Sequence, residues 1–278
     1  MSRAREAIAA LRVKFAAISD SPALDAAILV AEALGLARPA LDADPDRVLS
    51  PAQEARVESL AERRAAGEPV AYLTGRREFW SLDLEVTPDV LVPRPETELL
   101  VEWCLEAIAG RRHPAVLDLG TGSGAIALAI ALERPDAQVT AVDASAAALA
   151  VAARNAARHR LANLRFLAGD WFTPVGEAEF AAIVSNPPYV APDDPALATL
   201  AHEPRAALVA GDGGLADLAA ICTGAPPRLA HAGCLIVEHG ARQGAAVRER
   251  MARSGLADVT TRRDLAGRER ATRGNRPR

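Results

Sequence analysis

The sequence predicts an α/β fold: a mainly parallel sheet flanked by helices, preceded by a small all-helical N-terminal domain and a β-hairpin linker. From Ala115 onward, apolar strand-like runs alternate with Ala-rich helical stretches, the pattern of a parallel sheet covered on both faces. Up to about Gly75 there is no strand pattern, and Ala, Leu, Arg and Glu dominate. Between Phe79 and Val92 the period becomes two, with Leu82, Leu84 and Val86 on one face and Ser81, Asp83 and Glu85 on the other.

In chain order, Leu24, Ala27, Ile28, Ala31 and Leu34 recur at helical spacing, and Pro39, Pro45 and Pro51 punctuate a bundle that reads as a cap or a partner-binding module. Domain boundaries are expected at residues 1–75, 76–95 and 96–278. The period-two stretch reads as one strand of a hairpin. The segment Val92-Pro93-Arg94-Pro95-Glu96-Thr97 is too proline-dense to continue it, and 98–108 reads as a helix. Strands follow near 115–119, 138–142, 164–167, 180–185 and 233–237. Two short segments, 259–263 and 269–272, are candidates for an antiparallel edge.

The 278 residues, half of them hydrophobic, can fill sizeable cores. No window reaches the apolar span of a membrane helix and the first residues lack a secretory apolar region, so the expected compartment is the cytoplasm. Cys104, Cys222 and Cys234 are widely spaced and odd in number, and the five histidines form no ligand pattern; core thiols and no metal are expected. A net charge of -4 excludes a chain that lives by neutralising phosphates, leaving only an Arg-rich stretch from Arg262 to Arg278 as a local basic patch.

Val116-Leu117-Asp118-Leu119-Gly120-Thr121-Gly122-Ser123-Gly124 is a strand running into a glycine-rich turn and a helix, a cradle in which backbone N–H groups meet a ligand. The next strand ends in Asp143, placed to accept two hydrogen bonds from a ribose; as a plain structural feature it would cap a helix. Gly169-Asp170-Trp171-Phe172 follows the third strand, offering Asp170 to an adenine amino group and Trp171 or Phe172 as a wall for the ring. Gly120-x-Gly122-x-x-Ala125 also satisfies a loose dinucleotide pattern, but an adenosine pocket over three strand ends, without a second dinucleotide half, suits S-adenosyl-L-methionine better.

Asn186-Pro187-Pro188-Tyr189 directly follows the fourth strand, where open α/β sheets place their ligands. It combines two hydrogen-bond acceptors, a stiff backbone and an aromatic plate. A turn would use the same residues. Together with the glycine loop, Asp143 and Asp170-Trp171 it resembles the class I, Rossmann-like methyltransferases that modify planar amino groups.

The resemblance narrows with Gly67-Glu68-Pro69-Val70-Ala71-Tyr72-Leu73-Thr74-Gly75, Arg77-Glu78-Phe79-Trp80, Val92 to Glu98, Glu203-Pro204-Arg205-Ala206-Ala207-Leu208, Glu238-His239-Gly240 and Arg268-Glu269-Arg270. These are similar to motifs of the PrmC (HemK) family of release-factor glutamine methyltransferases, over residues 65–273. His202 departs from the aromatic that many relatives carry there. The resemblance implies methyl transfer from S-adenosyl-L-methionine, leaving S-adenosyl-L-homocysteine, to the side-chain amide nitrogen of the glutamine in the Gly-Gly-Gln motif of class I peptide chain release factors. It makes the N-terminal helices the release-factor-binding domain. A monomer that binds no membrane and forms no stable nucleic-acid complex is expected.

An amide nitrogen is a weak nucleophile because its lone pair is shared with the carbonyl, so the site has to aim it and favour a partly pyramidal transition state. The expected cofactor residues are Gly120, Thr121, Gly122, Ser123, Gly124, Asp143, Asp170, Trp171 and Asn186. Asn186 Oδ1 and the Pro187 carbonyl would accept the two amide hydrogens, Pro188 would keep them aimed, and Tyr189 would stack on the amide plane. Catalytic roles fall to Asn186, Pro187 and Tyr189. Adenine-N6 methylation of DNA poses the same geometric problem and stays open, as does a noncatalytic adaptor.

Overall fold

The computed structural model describes residues 2–277. The chain divides into two compact units, Met1–Arg76 and Arg77–Arg278.

The first unit is helical: Ala4–Phe15, Pro22–Leu34, Arg38–Ala43, Pro51–Ala65 and Val70–Thr74. Proline stands in the first turn of the second, third and fourth helices, where its missing N–H costs nothing. Ser50 and Gln53 form a reciprocal cap on the fourth, Gln53 N–H to Ser50 Oγ at 3.3 Å and Ser50 N–H to Gln53 Oε1 at 2.9 Å. The helix Pro22–Leu34 corrects the sequence reading of its face. Of the stripe Leu24, Ala27, Ile28, Ala31, Leu34 only Ala31 is buried; Ala26, Leu29, Val30 and Ala33 join it in the core, and Leu24 is exposed. Apolar residues surround nearly the whole helix, so spacing alone cannot choose which side packs.

The hairpin pairs β1 (Arg76–Phe79) with β2 (Leu82–Glu85). Its turn residues Trp80 and Ser81 both have positive φ, which matches the twist of the strands. Leu82 and Leu84 point inward, as the period of two requires. The expected strand, however, stops at Glu85. Pro88 removes a ladder donor, and Thr87 folds the chain into a turn by accepting from Asp89 N–H.

The main sheet has seven strands in the order β5-β4-β3-β6-β7-β9-β8. These are β3 (Ala115–Leu119), β4 (Gln138–Asp143), β5 (Leu164–Ala168), β6 (Phe180–Ser185), β7 (Leu229–Glu238), β8 (Ala257–Arg263) and β9 (Glu269–Asn275). The first five are parallel, and β9 runs antiparallel to both β7 and β8. β6 is buried at all six positions, as a central strand covered on both faces must be. Alternate residues feed two cores. Val116, Val184 and Ile236 pack with the helices Glu98–Ile108 and Ala125–Glu133, whereas Leu117, Ile183 and Leu235 pack with Ala216–Gly224 and Gly244–Arg253. All three cysteines are buried. Among the described residues no helix is long and apolar enough to cross a membrane.

Candidate active site

A cavity of about 520 Å³ opens at the C-terminal ends of β3 to β6, the crevice where the strand order reverses in an open parallel sheet. Gly120, Thr121, Gly122 and Ser123 line it beside Asp143, Asp170, Trp171, Asn186 and Pro188. The glycine loop is tied to β4 by Gly120 and Thr121 N–H bonds to the Val142 carbonyl, at 2.9 and 3.0 Å. Gly124 does not line the cavity. It caps the helix Ala125–Glu133 with φ +85°, a left-handed conformation that requires the glycine, and a Cβ there would also stand 3.2 Å from Ala152 Cβ on the next helix. Beneath the loop, buried Asp118 accepts from Thr121 Oγ1 at 2.6 Å, while its Oδ1 has no protein partner. Burial, outweighing that bond, raises its carboxyl to about 7.

Asp143 is not consumed by capping. Ser145 caps the helix Ala146–Arg158, its hydroxyl accepting from Ala148 N–H at 3.1 Å. Each Asp143 oxygen takes one backbone donor, Gly122 N–H at 2.9 Å and Ser145 N–H at 2.8 Å, which leaves lone pairs on both for a diol. Of the two aromatic candidates, Trp171 is the wall. It lines the cavity with φ +42° and lies 3.7 Å from where a Cβ on Gly120 would sit. Phe172 turns into the core under the Arg228 guanidinium, 5.0 Å from its ring centre.

The loop after β6 is held by residues distant in sequence. Asn186 Nδ2 donates to Thr97 Oγ1 at 3.2 Å, and Thr97 Oγ1 donates to Glu238 Oε2 at 2.7 Å. Tyr189 donates its hydroxyl to Glu238 Oε1 at 3.1 Å. Gln243 Nε2 donates to the Tyr189 carbonyl at 3.0 Å, so the turn is held through both its backbone and its ring. Pro187 is buried, and neither it nor Tyr189 is part of the cavity wall. Burial raises the Glu238 carboxyl to about 7 against the Thr97 and Tyr189 donors and Arg270; Glu96 adds to the rise. Burial, then the Glu238 charge, push the Tyr189 phenol well above its ordinary value, so it stays a donor.

Several site residues carried no chemical role in the sequence. Thr97 and Glu238 belong to recognisable motifs, but nothing in their spacing says that they meet. Asp89, Val90, Leu91 and Pro93 wall the cavity from the hairpin exit, and Pro204, Ala206 and Ala207 from the loop after β6. Those two segments are joined by Glu203, which accepts from Val92 N–H at 3.1 Å and pairs with Arg94. Asp217 also lines the cavity, its carboxyl raised by burial and then by the nearby Asp170 charge. His239 ties β7 to β9, with Nε2 2.8 Å from Thr272 Oγ1, and burial lowers its pKa so that it stays neutral.

The residues present fit an adenosyl cofactor. The volume is that of a small-ligand pocket, the Asp143 oxygens keep free lone pairs, Trp171 gives a flat apolar wall, and the glycine loop brings backbone close to the ligand space. Among the described residues no group of three or more His, Cys, Asp or Glu is arranged to hold a metal ion.

A family model described as Methyltransferase small domain matches residues 95–215, and one described as PrmC N-terminal domain matches residues 6–75. The release factor glutamine methyltransferase of Burkholderia pseudomallei is 52% identical over 263 residues, covering 92% of each chain. That of Vibrio cholerae is 48% identical over 259 residues, covering 92% of this chain and 90% of its own. In fold, the chain is similar to a methyltransferase from Pyrococcus furiosus, with a TM-score of 0.56 and 19% identity over 80% of this chain and all of that one. Sequence, sheet order and strand-end cavity agree: the chain belongs to the release factor glutamine methyltransferases, a family of S-adenosyl-L-methionine-dependent enzymes.

Proposed function

We propose that this protein methylates the side-chain amide nitrogen of the glutamine in the Gly-Gly-Gln motif of class I peptide chain release factors. The observation that carries this reading is the placement of Asn186, on a doubly braced loop, at the edge of the strand-end cavity. The names of the relatives, similar over nine-tenths of the chain, support the same substrate.

S-adenosyl-L-methionine supplies an electrophilic sulfonium methyl when bound. Gly120 to Ser123 would frame its amino-acid end, Asp143 its ribose, and Asp170 and Trp171 its adenine; Asn186 stands at the reacting end. Asn186 Oδ1 and the Pro187 carbonyl accept the two hydrogens of the substrate amide and leave the nitrogen lone pair aimed along the transfer axis. The same acceptors stabilise the positive charge that develops on nitrogen. No side-chain base is needed, because a methylated amide nitrogen bearing an extra proton is strongly acidic. Pro187 and Pro188 hold the acceptors still, and Tyr189, its hydroxyl anchored and its ring outside the cavity wall, would meet the amide plane only from the side on which the substrate enters.

On this reading residues 1–75 dock the release factor, 76–95 link and 96–278 carry the transfer. The protein works in the cytoplasm as a monomer, without stable nucleic-acid binding. The Arg-rich C-terminal stretch supports the last point: Arg262 pairs with Glu106, Arg263 with Glu269, Arg270 with Asp264 and Arg276 with Glu179, leaving less free positive charge for phosphates. Incubation with labelled S-adenosyl-L-methionine and a purified class I release factor, followed by peptide mass spectrometry, should put one methyl on the Gly-Gly-Gln glutamine. Label on any other residue, or on adenine in DNA, would overturn the substrate.

A further inference from the structure

The substrate clamp works only if Asn186 presents oxygen, not nitrogen, to the substrate. A carboxamide is nearly symmetric in shape, so something has to choose between the two orientations. Bond distances within the side chain cannot; the hydrogen-bond network can.

The selection begins at Glu238. Above about pH 7 its carboxyl is ionised and only accepts, and it faces two hydroxyls, Thr97 on Oε2 at 2.7 Å and Tyr189 on Oε1 at 3.1 Å. Thr97 has one hydroxyl proton. The carboxylate takes it, because a charge-assisted bond is stronger than one to a neutral amide. What Thr97 offers to Asn186 is therefore lone pairs only, and the amide turns its NH₂ end to them, at 3.2 Å. The reverse orientation would set two acceptors face to face with no proton between them. Thr97 and Glu238 are both buried, so water cannot repair that clash cheaply.

We propose that Thr97 and Glu238 are positioning residues, a hydrogen-bond relay that fixes the orientation of the Asn186 amide so that Oδ1 faces the substrate. The relay joins three separate stretches: Thr97 immediately before the helix Glu98–Ile108, Asn186 after β6, and Glu238 at the end of β7. The same carboxylate anchors Tyr189, so one buried charge aims both the amide and the aromatic ring. Neither Thr97 nor Glu238 needs to touch the reacting atoms. The inference rests on the reading of Asn186 as the substrate clamp.

The test compares Thr97→Val, which keeps the shape and removes the hydroxyl, with Thr97→Ser, which keeps the hydroxyl. In the full-length enzyme with saturating release factor at about pH 8, where Glu238 is ionised, Thr97→Val should lower kcat by roughly tenfold or more while the Kd for S-adenosyl-L-methionine and Tm change little, and Thr97→Ser should recover most of the loss. A merely structural role would lower Tm or cofactor affinity together with kcat. Full kcat in Thr97→Val overturns the relay, and so does an equal loss in Thr97→Ser. In the ¹⁵N-labelled wild-type protein, nuclear Overhauser contacts from the Asn186 NH₂ protons to the Thr97 side chain are expected; contacts from the opposite edge of the amide overturn the orientation even if a variant fails to fold. Full turnover in Asn186→Ala would sink the clamp itself. An inactive Asn186→Ala beside a fully active Thr97→Val would sink only the relay.

Discussion

Gly214 packs so tightly on Tyr189 that a Cβ added to it would lie 2.2 Å from the Tyr189 carbonyl oxygen. Gly214 also has φ +88°, and its own carbonyl accepts from Gln243 Nε2, the same group that holds the Tyr189 carbonyl. Gly214→Ala therefore has to shift the backbone of the Asn186–Tyr189 turn. Turnover should fall on the order of tenfold or more, since small displacements of aimed groups are costly, while cofactor affinity changes less. Unchanged kcat in a folded Gly214→Ala protein would show that the turn tolerates displacement.

On the proposed reading, Asn186→Ala removes one preorganised acceptor from the transition-state site. Turnover should drop by on the order of 10² or more, with a smaller effect on cofactor Kd measured by calorimetry. Near-normal kcat would remove Asn186 from its assigned role.

Asn155 is fully buried and bridges the hairpin to the glycine loop: its Oδ1 accepts from Glu85 N–H at 2.7 Å, and its Nδ2 donates to the Glu85 and Ser123 carbonyls at 3.0 and 2.9 Å. Asn155→Leu strands these backbone groups without a partner. A loss of about 2–4 kcal/mol is expected from the usual cost of orphaned buried groups, with weaker cofactor binding because Ser123 is freed. Urea denaturation and cofactor titration check the two parts separately.

Glu203→Ala leaves Val92 N–H and Arg94 without their buried acceptor. The two segments that Glu203 joins supply Pro93, Pro204, Ala206 and Ala207 to the cavity wall. Loss of a hydrogen-bonded charge partner on the order of 2–3 kcal/mol should loosen that wall, and a rise of roughly tenfold in cofactor Kd is the measurement to seek. A variant with wild-type Kd would place the loop's stability elsewhere.

The pH dependence of stability follows from Glu238. Its carboxyl titrates near 7 when folded, above its ordinary 4.5, because of burial. The folded state holds a proton that the unfolded chain has already released, so the contribution is fully present below about pH 4.5 and lost as pH rises through about 7. Glu238→Gln abolishes that loss. The difference in Tm between variant and wild type should move in the variant's favour from pH 5 to pH 8, corresponding to at most about 3 kcal/mol. A difference that is constant with pH would place the titration outside this window.

The strands after Ala115 are legible because central parallel strands must be apolar along their whole length, as β6 is. Gly120 to Ser123, Asp143 and Asp170 are legible as residues of one crevice because each stands at or just after a strand end, and the parallel pairing of β3, β4 and β5 brings those ends together to line the cavity. The buried side of Pro22–Leu34 is not legible, since its apolar residues wrap around the helix and only packing selects Ala26, Leu29 and Val30. The same holds for Trp171 against Phe172: adjacent aromatics alternate direction, and their backbone torsions decide which one lines the cavity.

By itself, then, the sequence determined the strand and helix alternation, the glycine cradle and the family, because these depend on local periodicity and contiguous motifs. Only the tertiary structure decided that Thr97 and Glu238, 141 positions apart, share a proton beneath Asn186. A hydrogen bond between residues so distant in the chain leaves no local pattern; it exists only once the sheet order has brought their backbones together.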